Sequence, residues 1–114
     1  MMVENTTRST VLGDRIAPAN NPWARARGLL GKSGLKPGEG LHIIPCKSVH
    51  MLFMRFSIDV LYLDREGRVV KAVPNLGLFR YSWGGWSAHS ALELPAGTIA
   101  ASSTVVGDKL NLQP

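Results

Sequence analysis

Apolar and polar positions alternate through residues 49–63, in the middle of the chain. The even-numbered positions from 52 to 62 are all apolar, whereas the odd-numbered set includes Arg55, Ser57 and Asp59. A period of two residues predicts a β-strand, because successive side chains of a strand point to opposite faces. If the strand is unbroken, these three polar groups share one face. A bulge near Ser57 would separate them.

A tight turn with the sequence Asp-Arg-Glu-Gly follows at residues 64–67. Gly67 supplies the left-handed backbone conformation that such a turn requires. We therefore predict that residues 60–63 pair antiparallel with residues 68–73 in a hairpin. Pro74 and Asn75 are expected to end the second strand.

Further short strands are predicted between glycine and proline turns. They cover residues 10–17, 41–44, 91–94 and 109–112. One short helix is predicted near residues 22–30, because Asn21 is a good N-cap and Pro22 suits the first helical position. Several short strands of this kind indicate a mainly β sandwich or barrel.

The chain has no internal repeat and no linker long enough to separate two domains. At 114 residues it buries on the order of two thirds of the surface that its unfolded form exposes, so one core suffices. We expect a single β-rich domain over residues 10–114. Residues 1–9 are polar and are predicted to form a disordered or frayed tail.

Composition narrows the class of protein. Apolar residues make up 45% and charged residues 18%, which is typical of a globular domain. The net charge of +5 comes from scattered basic residues rather than from a run, which argues against a nucleic-acid partner. No stretch approaches the roughly 20 apolar residues of a membrane-spanning helix, and no secretory signal is recognisable. A lone cysteine excludes an intrachain disulfide, so we expect a cytoplasmic protein.

Several motifs together resemble the bacterial and archaeal family known as domain of unknown function 192. They are RGLL at residues 27–30, Gly40 with Leu41, MLFMRFSIDVLYLDREGRVV at residues 51–70, LELPAGT at residues 92–98, and Gly107 with Asp108. The resemblance implies a compact, mainly β two-layer sandwich, jelly-roll-like in outline. It implies no chemistry, although Asp59, Glu93, Gly97 and Asp108 match motif positions of the family.

Two acidic residues lie within the predicted strands. Asp59 has apolar neighbours, and a buried carboxylate must be paired or hydrogen-bonded. Its structural partners would be Arg55, Lys71, Arg80 or turn amides, and its functional role would be catalysis or ligand binding in a pocket. Glu93 is expected to be exposed or to cap a turn. If it instead met Asp59 across a cleft, the pKa values of the two acids would be pushed apart.

Cys46 and His50 are candidates for nucleophilic catalysis if a turn brings the thiol to the imidazole. The alternative is an inert, buried cysteine. His42 is spaced like a third metal ligand on a helix, but Pro45 argues against that helix, and an extended chain separates positions four residues apart by roughly 13 Å. We therefore predict no metal and no cofactor.

An aromatic loop over residues 76–90 is the better candidate for binding. Tyr81, Trp83 and Trp86 form either a platform for a ligand or a cover for the core, with Arg80 and His89 as polar neighbours. The candidate ligand-binding residues are Arg55, Asp59, Arg80, Tyr81, Trp83, Trp86 and His89.

The sequence contains none of the strong catalytic motifs, such as a phosphate-binding glycine loop or a nucleophile elbow. We expect a non-catalytic binding or accessory domain for a small molecule or peptide, with a pocket near Asp59 rimmed by the aromatic loop. One alternative is a small hydrolase or transferase that uses Cys46 with His50, or Asp59 with Glu93.

A second alternative is a protein–protein interaction module that docks through Trp83 and Trp86. The ligand and any protein partner stay unidentified at the level of sequence.

Overall fold

A computed structural model of the chain describes residues 1–19, 35–50, 56–77 and 81–113, with the backbone alone at His50. These ranges contain strands β1 (Met2–Asn5), β2 (Thr10–Gly13), β3 (Arg15–Ala19), β4 (Glu39–Ile43), β5 (Ser48–His50), β6 (Ile58–Leu63), β7 (Val69–Leu76), β8 (Tyr81–Trp83), β9 (Ser90–Pro95) and β10 (Leu110–Gln113), and one short helix, α1 (Thr98–Ser102). The helix predicted near residues 22–30 lies outside the described residues. No helix among them is long and apolar enough to cross a membrane.

The strands form three sheets. A five-stranded central sheet has the order β3-β4-β9-β6-β7, a three-stranded small sheet has the order β10-β1-β2, and β5 and β8 form a ribbon. The prediction of a mainly β fold is confirmed. The jelly-roll outline is not, because β3 and β4 pair in parallel, whereas a jelly roll is antiparallel.

The predicted hairpin is confirmed as β6 and β7, which pair antiparallel with Val60 opposite Val73. Gly67 has a φ of 83°, the left-handed conformation that the turn requires. The second strand does not end at Pro74, however. It continues to Leu76, because β7 is an edge strand, where a proline is tolerated, and the register shifts near Asn75.

Both faces of the central sheet are covered. On one face, Leu61 and Leu94 pack with Val3 and Leu110 of the small sheet in a shared core. On the other face, Val60 and its neighbours pack with residue Val49 of the ribbon. As a result all six residues of β6 are buried, and its alternation of apolar and polar positions does not separate core from solvent.

The N-terminus differs from the expected frayed tail. Met2–Asn5 form the middle strand of the small sheet, between β10 and β2, and Val3 is fully buried. The predicted strand over residues 10–17 is also divided, since β2 joins the small sheet and β3 joins the central sheet. The polar residues that suggested a tail instead take part in a buried hydrogen-bond network around Asp108.

Candidate functional site

The Asp59 side chain is 1% exposed and accepts hydrogen bonds from three backbone amides. Its Oδ1 accepts from Asn75 at 2.8 Å, and its Oδ2 accepts from Gly97 at 3.1 Å and from Ile99 at 2.8 Å. These bonds join β6 to the bulge of β7 and to the first turn of α1. Asp59 thus has the structural role that the sequence offered as an alternative, with amides as its partners.

Glu93 lies on the opposite face of the central sheet from Asp59. In the β6–β9 pairing, Asp59 is opposite Leu94 while Val60 is opposite Glu93, and consecutive residues of a strand point to opposite faces. The two carboxylates therefore do not meet, and the proposed acid pair is wrong. Glu93 is also fully buried rather than exposed.

Cys46 is half-buried, and its thiol donates to the backbone carbonyl of Ser48 at 3.1 Å. His50 pairs with Tyr81 through the backbone of β5 and β8, but its side chain is outside the described part of the chain. Arg55 and Arg80 also lie outside it. Within the described ranges, no group of three or more histidine, cysteine, aspartate or glutamate side chains is arranged to hold a metal ion.

The aromatic residues of the predicted loop lie on the surface. Tyr81 and Trp83 flank the buried Ser82 on β8, so their rings share the outer face of the ribbon. Trp83 is 41% and Trp86 is 84% exposed, and their rings meet edge to face with centroids 5.3 Å apart. They form an exposed platform rather than a cover for the core.

Two lysines fix the backbone that carries these indoles. Lys47 donates from Nζ to the carbonyl of Trp86 at 2.7 Å, and Lys71 donates from Nζ to the carbonyl of Trp83 at 2.8 Å. The amide of Gly84 donates in turn to the carbonyl of Lys47 at 2.7 Å. These bonds tie the backbone of the platform to β7 and to the segment before β5.

Gly84 lies directly against the ring of buried Tyr62, whose hydroxyl donates to the carbonyl of Ser82 at 3.0 Å. Burial raises the pKa of this hydroxyl to about 12, so it stays protonated as a donor. A side chain at position 84 would overlap the Tyr62 ring. The contact explains why the loop needs a glycine there.

We expect Gly84→Ala to lower the free energy of unfolding by about 1–3 kcal/mol, because an added methyl group must displace either the loop or the Tyr62 ring. Urea denaturation measures this change. Ser87→Ala, at an exposed position of the same loop, is the control and should change stability by less than about 0.5 kcal/mol. Equal stability of the two variants would show that the loop is not packed on Tyr62.

A groove of about 680 Å³ opens beside the platform. We call it the Trp86 groove; it is lined by Pro45, Lys47, Asp64, Arg65, Glu66, Trp86, Ser87, Ala88 and His89. Backbone hydrogen bonds assemble its walls, since the His89 amide donates to Leu63 at 2.8 Å and the Cys46 amide donates to His89 at 2.9 Å. Segments that are distant in sequence are thereby fixed side by side.

A second groove, of about 260 Å³, adjoins the first. This β10 groove shares Asp64, Arg65, Glu66 and His89 with the Trp86 groove and is further lined by His42, Ile44, Gly67, Lys109, Leu110, Asn111 and Leu112. Together the two grooves run from the aromatic platform to β10. Asp59 lines neither of them.

Burial lowers the pKa of His42, and the nearby His89 lowers it further. In the turn, Oδ1 of Asp64 accepts hydrogen bonds from the amides of Glu66 and Arg68, both at 2.9 Å. No hydrogen bond or ion pair joins the Arg65 guanidinium to another described residue. The part that the two grooves share therefore contains the Arg65 guanidinium and the His89 imidazole, and the His42 imidazole lines the adjoining β10 groove.

Sequence reasoning found Trp86 and His89 but missed Lys47 and Arg65 as lining residues. Nothing in the local sequence marks them, because residues 45–47, 64–66 and 86–89 meet only through the pairing of β6 with β9 and its flanking hydrogen bonds.

The family model DUF192, described as Uncharacterized ACR, matches residues 3–112. The chain belongs to this family. The resemblance inferred from the motifs is thus confirmed, over nearly the whole chain. The family is uncharacterised, so membership carries no established activity.

Similar proteins agree with this assignment. A UPF0127 protein of Thermococcus sibiricus is 31% identical over 121 residues, which cover 96% of this chain and 73% of that protein. A protein of unknown function from Novosphingobium aromaticivorans is 20% identical with a TM-score of 0.81, over 97% of this chain and 82% of that chain. A putative transcription regulator from Sinorhizobium meliloti is 19% identical with a TM-score of 0.81, over 96% and 89%. At such identities the two solved structures show a shared fold.

Proposed function

We propose that this protein is a non-catalytic binding domain that holds a peptide segment in the Trp86 groove. The observation that carries the proposal is the position of Trp86: its indole is 84% exposed, yet it lines a groove of about 680 Å³ and is packed edge to face on Trp83. A large exposed aromatic surface beside a groove is typical of an interaction site. Tryptophan is also enriched among the residues that dominate binding energy.

The size and shape of the cleft favour a peptide. A volume of about 680 Å³ falls within the roughly 300–1,000 Å³ of ligand sites. The adjoining β10 groove lengthens the cleft beyond what a compact small molecule fills, and an extended chain would occupy both. A membrane surface would use the aromatic platform but leave the cleft empty.

The contacts within the platform support the same conclusion. Lys47 and Lys71 hold the carbonyls of Trp86 and Trp83, and the indoles contact each other. To the extent that these contacts order the surface in advance, a ligand loses less interaction free energy in ordering it. The proposal keeps the aromatic rim predicted from sequence but places the pocket away from Asp59.

A random dodecapeptide library displayed on phage and selected on the wild-type protein tests the proposal. We expect Trp86→Ala to raise the Kd of the enriched peptides by about 30-fold or more, the loss associated with a central aromatic anchor. Fluorescence anisotropy of labelled peptides measures the Kd. Val106→Ala is the control, because Val106 is 59% exposed and does not line the groove.

Two results would contradict the proposal. One is an unchanged Kd in Trp86→Ala for all enriched peptides. The other is sedimentation of the protein with phosphatidylcholine–phosphatidylserine vesicles that depends on Trp86, since this would assign the platform to a lipid surface.

A further inference from the structure

Cationic and imidazole side chains meet where the two grooves join. His89 and Arg65 line both grooves, His42 and Lys109 line the β10 groove, and Lys47 lines the Trp86 groove. They come from different parts of the chain: His42 from β4, Arg65 from the β6–β7 turn, and His89 from the segment before β9. The fold therefore gathers basic groups that are scattered in the sequence.

We propose that this junction, between His42, Arg65 and His89, binds a negatively charged oxygen group, a carboxylate or a phosphate, carried by the peptide in the cleft. The inference rests on the proposed function for the peptide, and it adds the chemistry of the group that the peptide must present.

The hydrogen-bonding state of the junction supports an anionic ligand. In the described part of the chain, no hydrogen bond or ion pair occupies the Arg65 guanidinium or the rings of His42 and His89. Guanidinium is suited to carboxylate and phosphate, because its planar donors bind two oxygens at once. Both histidines are half-buried, so water competes less for their rings than it does at a fully exposed site.

Acidic groups also face the junction, and they set its net charge. Asp64 and Glu66 line both grooves, against Lys47, Arg65 and Lys109. The Asp64 carboxylate already accepts two turn amides, which offset part of its charge. The formal balance is three cations against two acids with the histidines neutral, and it becomes more positive when either imidazole is protonated. Charge complementarity therefore favours an acidic segment.

Binding of an anion here should be linked to protonation of His42. An anion beside an imidazole stabilises the imidazolium form and so raises the pKa of the histidine. Burial, and then His89, lower the pKa of His42 in the unliganded protein, and a bound anion would raise it from that lower value. The affinity for an anion should accordingly increase as the pH falls through the pKa of His42 in the complex, and should level off below the pKa of the unliganded residue, which lies under 6.5.

The first probe is inorganic phosphate, titrated into the protein while NMR records the Cε1–H signals of the histidine rings. The variants His42→Gln and His89→Gln identify which signal belongs to which residue. We expect saturable shifts of both signals and an increased pKa of His42 in the wild-type protein. Arg65→Gln should abolish saturation. Arg68→Gln is the matched control, because the Arg68 guanidinium is an exposed neighbour that already donates to the Gly107 carbonyl at 2.7 Å. Equal, non-saturating shifts in both variants would overturn the inference.

The second test uses one peptide from the phage selection whose binding depends on Trp86. It is made in three versions, which carry glutamate, glutamine or phosphoserine at a single position. We expect the glutamate or the phosphoserine version to bind about tenfold more tightly than the glutamine version at pH 6, and Arg65→Gln to remove this difference. The preferred version identifies the source of the anion. Equal affinities of all three versions would refute the anion site but leave the peptide proposal intact. Loss of the dependence on Trp86 would refute the peptide proposal, while the phosphate titration would still report on the junction.

Discussion

Replacing Asp59 with alanine is expected to lower the free energy of unfolding by about 3–5 kcal/mol. The change leaves the amides of Asn75, Gly97 and Ile99 without their acceptor; the Ile99 bond is buried and the other two are partly buried, and a buried donor that loses its partner costs about 1–3 kcal/mol. Domains of this size are stabilised by roughly 5–15 kcal/mol in total, so the loss is a large share. Urea denaturation followed by circular dichroism measures it.

Asp64→Ala is the control for this experiment. Asp64 also accepts two backbone amides, but they lie in an exposed turn where water replaces the lost acceptor. We expect a loss below about 1 kcal/mol there. If Asp59→Ala does not fold, Asp59→Asn provides the measurement, because its carbonyl retains part of the acceptor set. A loss at Asp59 no larger than that at Asp64 would contradict the anchoring role.

Local signals in the sequence predicted the β6–β7 hairpin and the need to satisfy Asp59. Both depend on neighbouring residues: two-residue alternation identifies the strand, and Gly67 specifies the turn. The partners of Asp59 were harder to predict, because Gly97 and Ile99 are about 40 positions away and Ile99 belongs to a helix that was not predicted. α1 has only five residues and no side-chain cap, so it lacks the signals that mark longer helices.

Pairing between strands that are distant in sequence accounts for the larger differences between the predicted and the observed fold. The polar N-terminus is typical of a tail, but Met2–Asn5 pair with Leu110–Gln113 from the other end of the chain. No local pattern contains that information. The prediction that Glu93 is exposed was wrong for a related reason. Alternation indicates that consecutive residues face opposite ways, but it identifies the solvent face only when one face of the sheet is exposed.

In the candidate site, too, local features were predicted from the sequence and long-range ones were not. The exposed aromatic residues were found because tryptophans beside a glycine pair stand out in composition. The Trp86 groove was not predicted, because its walls meet only after β6 and β9 have paired and the His89 amide has bonded to the Leu63 carbonyl. Binding sites assembled from separate segments are therefore visible in sequence mainly through their aromatic members.

Asp108 joins the two ends of the chain, and its removal is expected to have the second largest effect. Its carboxylate is 3% exposed and accepts hydrogen bonds from Asn5 and Arg8 at 3.0 Å and from the Val105 amide at 3.1 Å. Burial alone would raise the pKa of Asp108, but these hydrogen bonds outweigh it and hold the pKa below its ordinary value of 3.8. Asp108→Asn should lower the free energy of unfolding at pH 7 by about 2 kcal/mol, because Arg8 is half-exposed and regains water.

The pH dependence of this loss separates the charge of Asp108 from its packing. Because the folded pKa is lower than the unfolded one, the carboxylate stabilises the fold fully above pH 3.8, and this contribution is lost as the pH falls through the folded pKa. The difference in stability between wild type and Asp108→Asn should therefore shrink below pH 3.8, as urea denaturation from pH 7 to 2.5 measures. Glu66→Gln, at an exposed turn, is the control and should show little difference at any pH. A constant difference across the range would mean that Asp108 contributes shape rather than charge to the contact between the N-terminal and C-terminal segments.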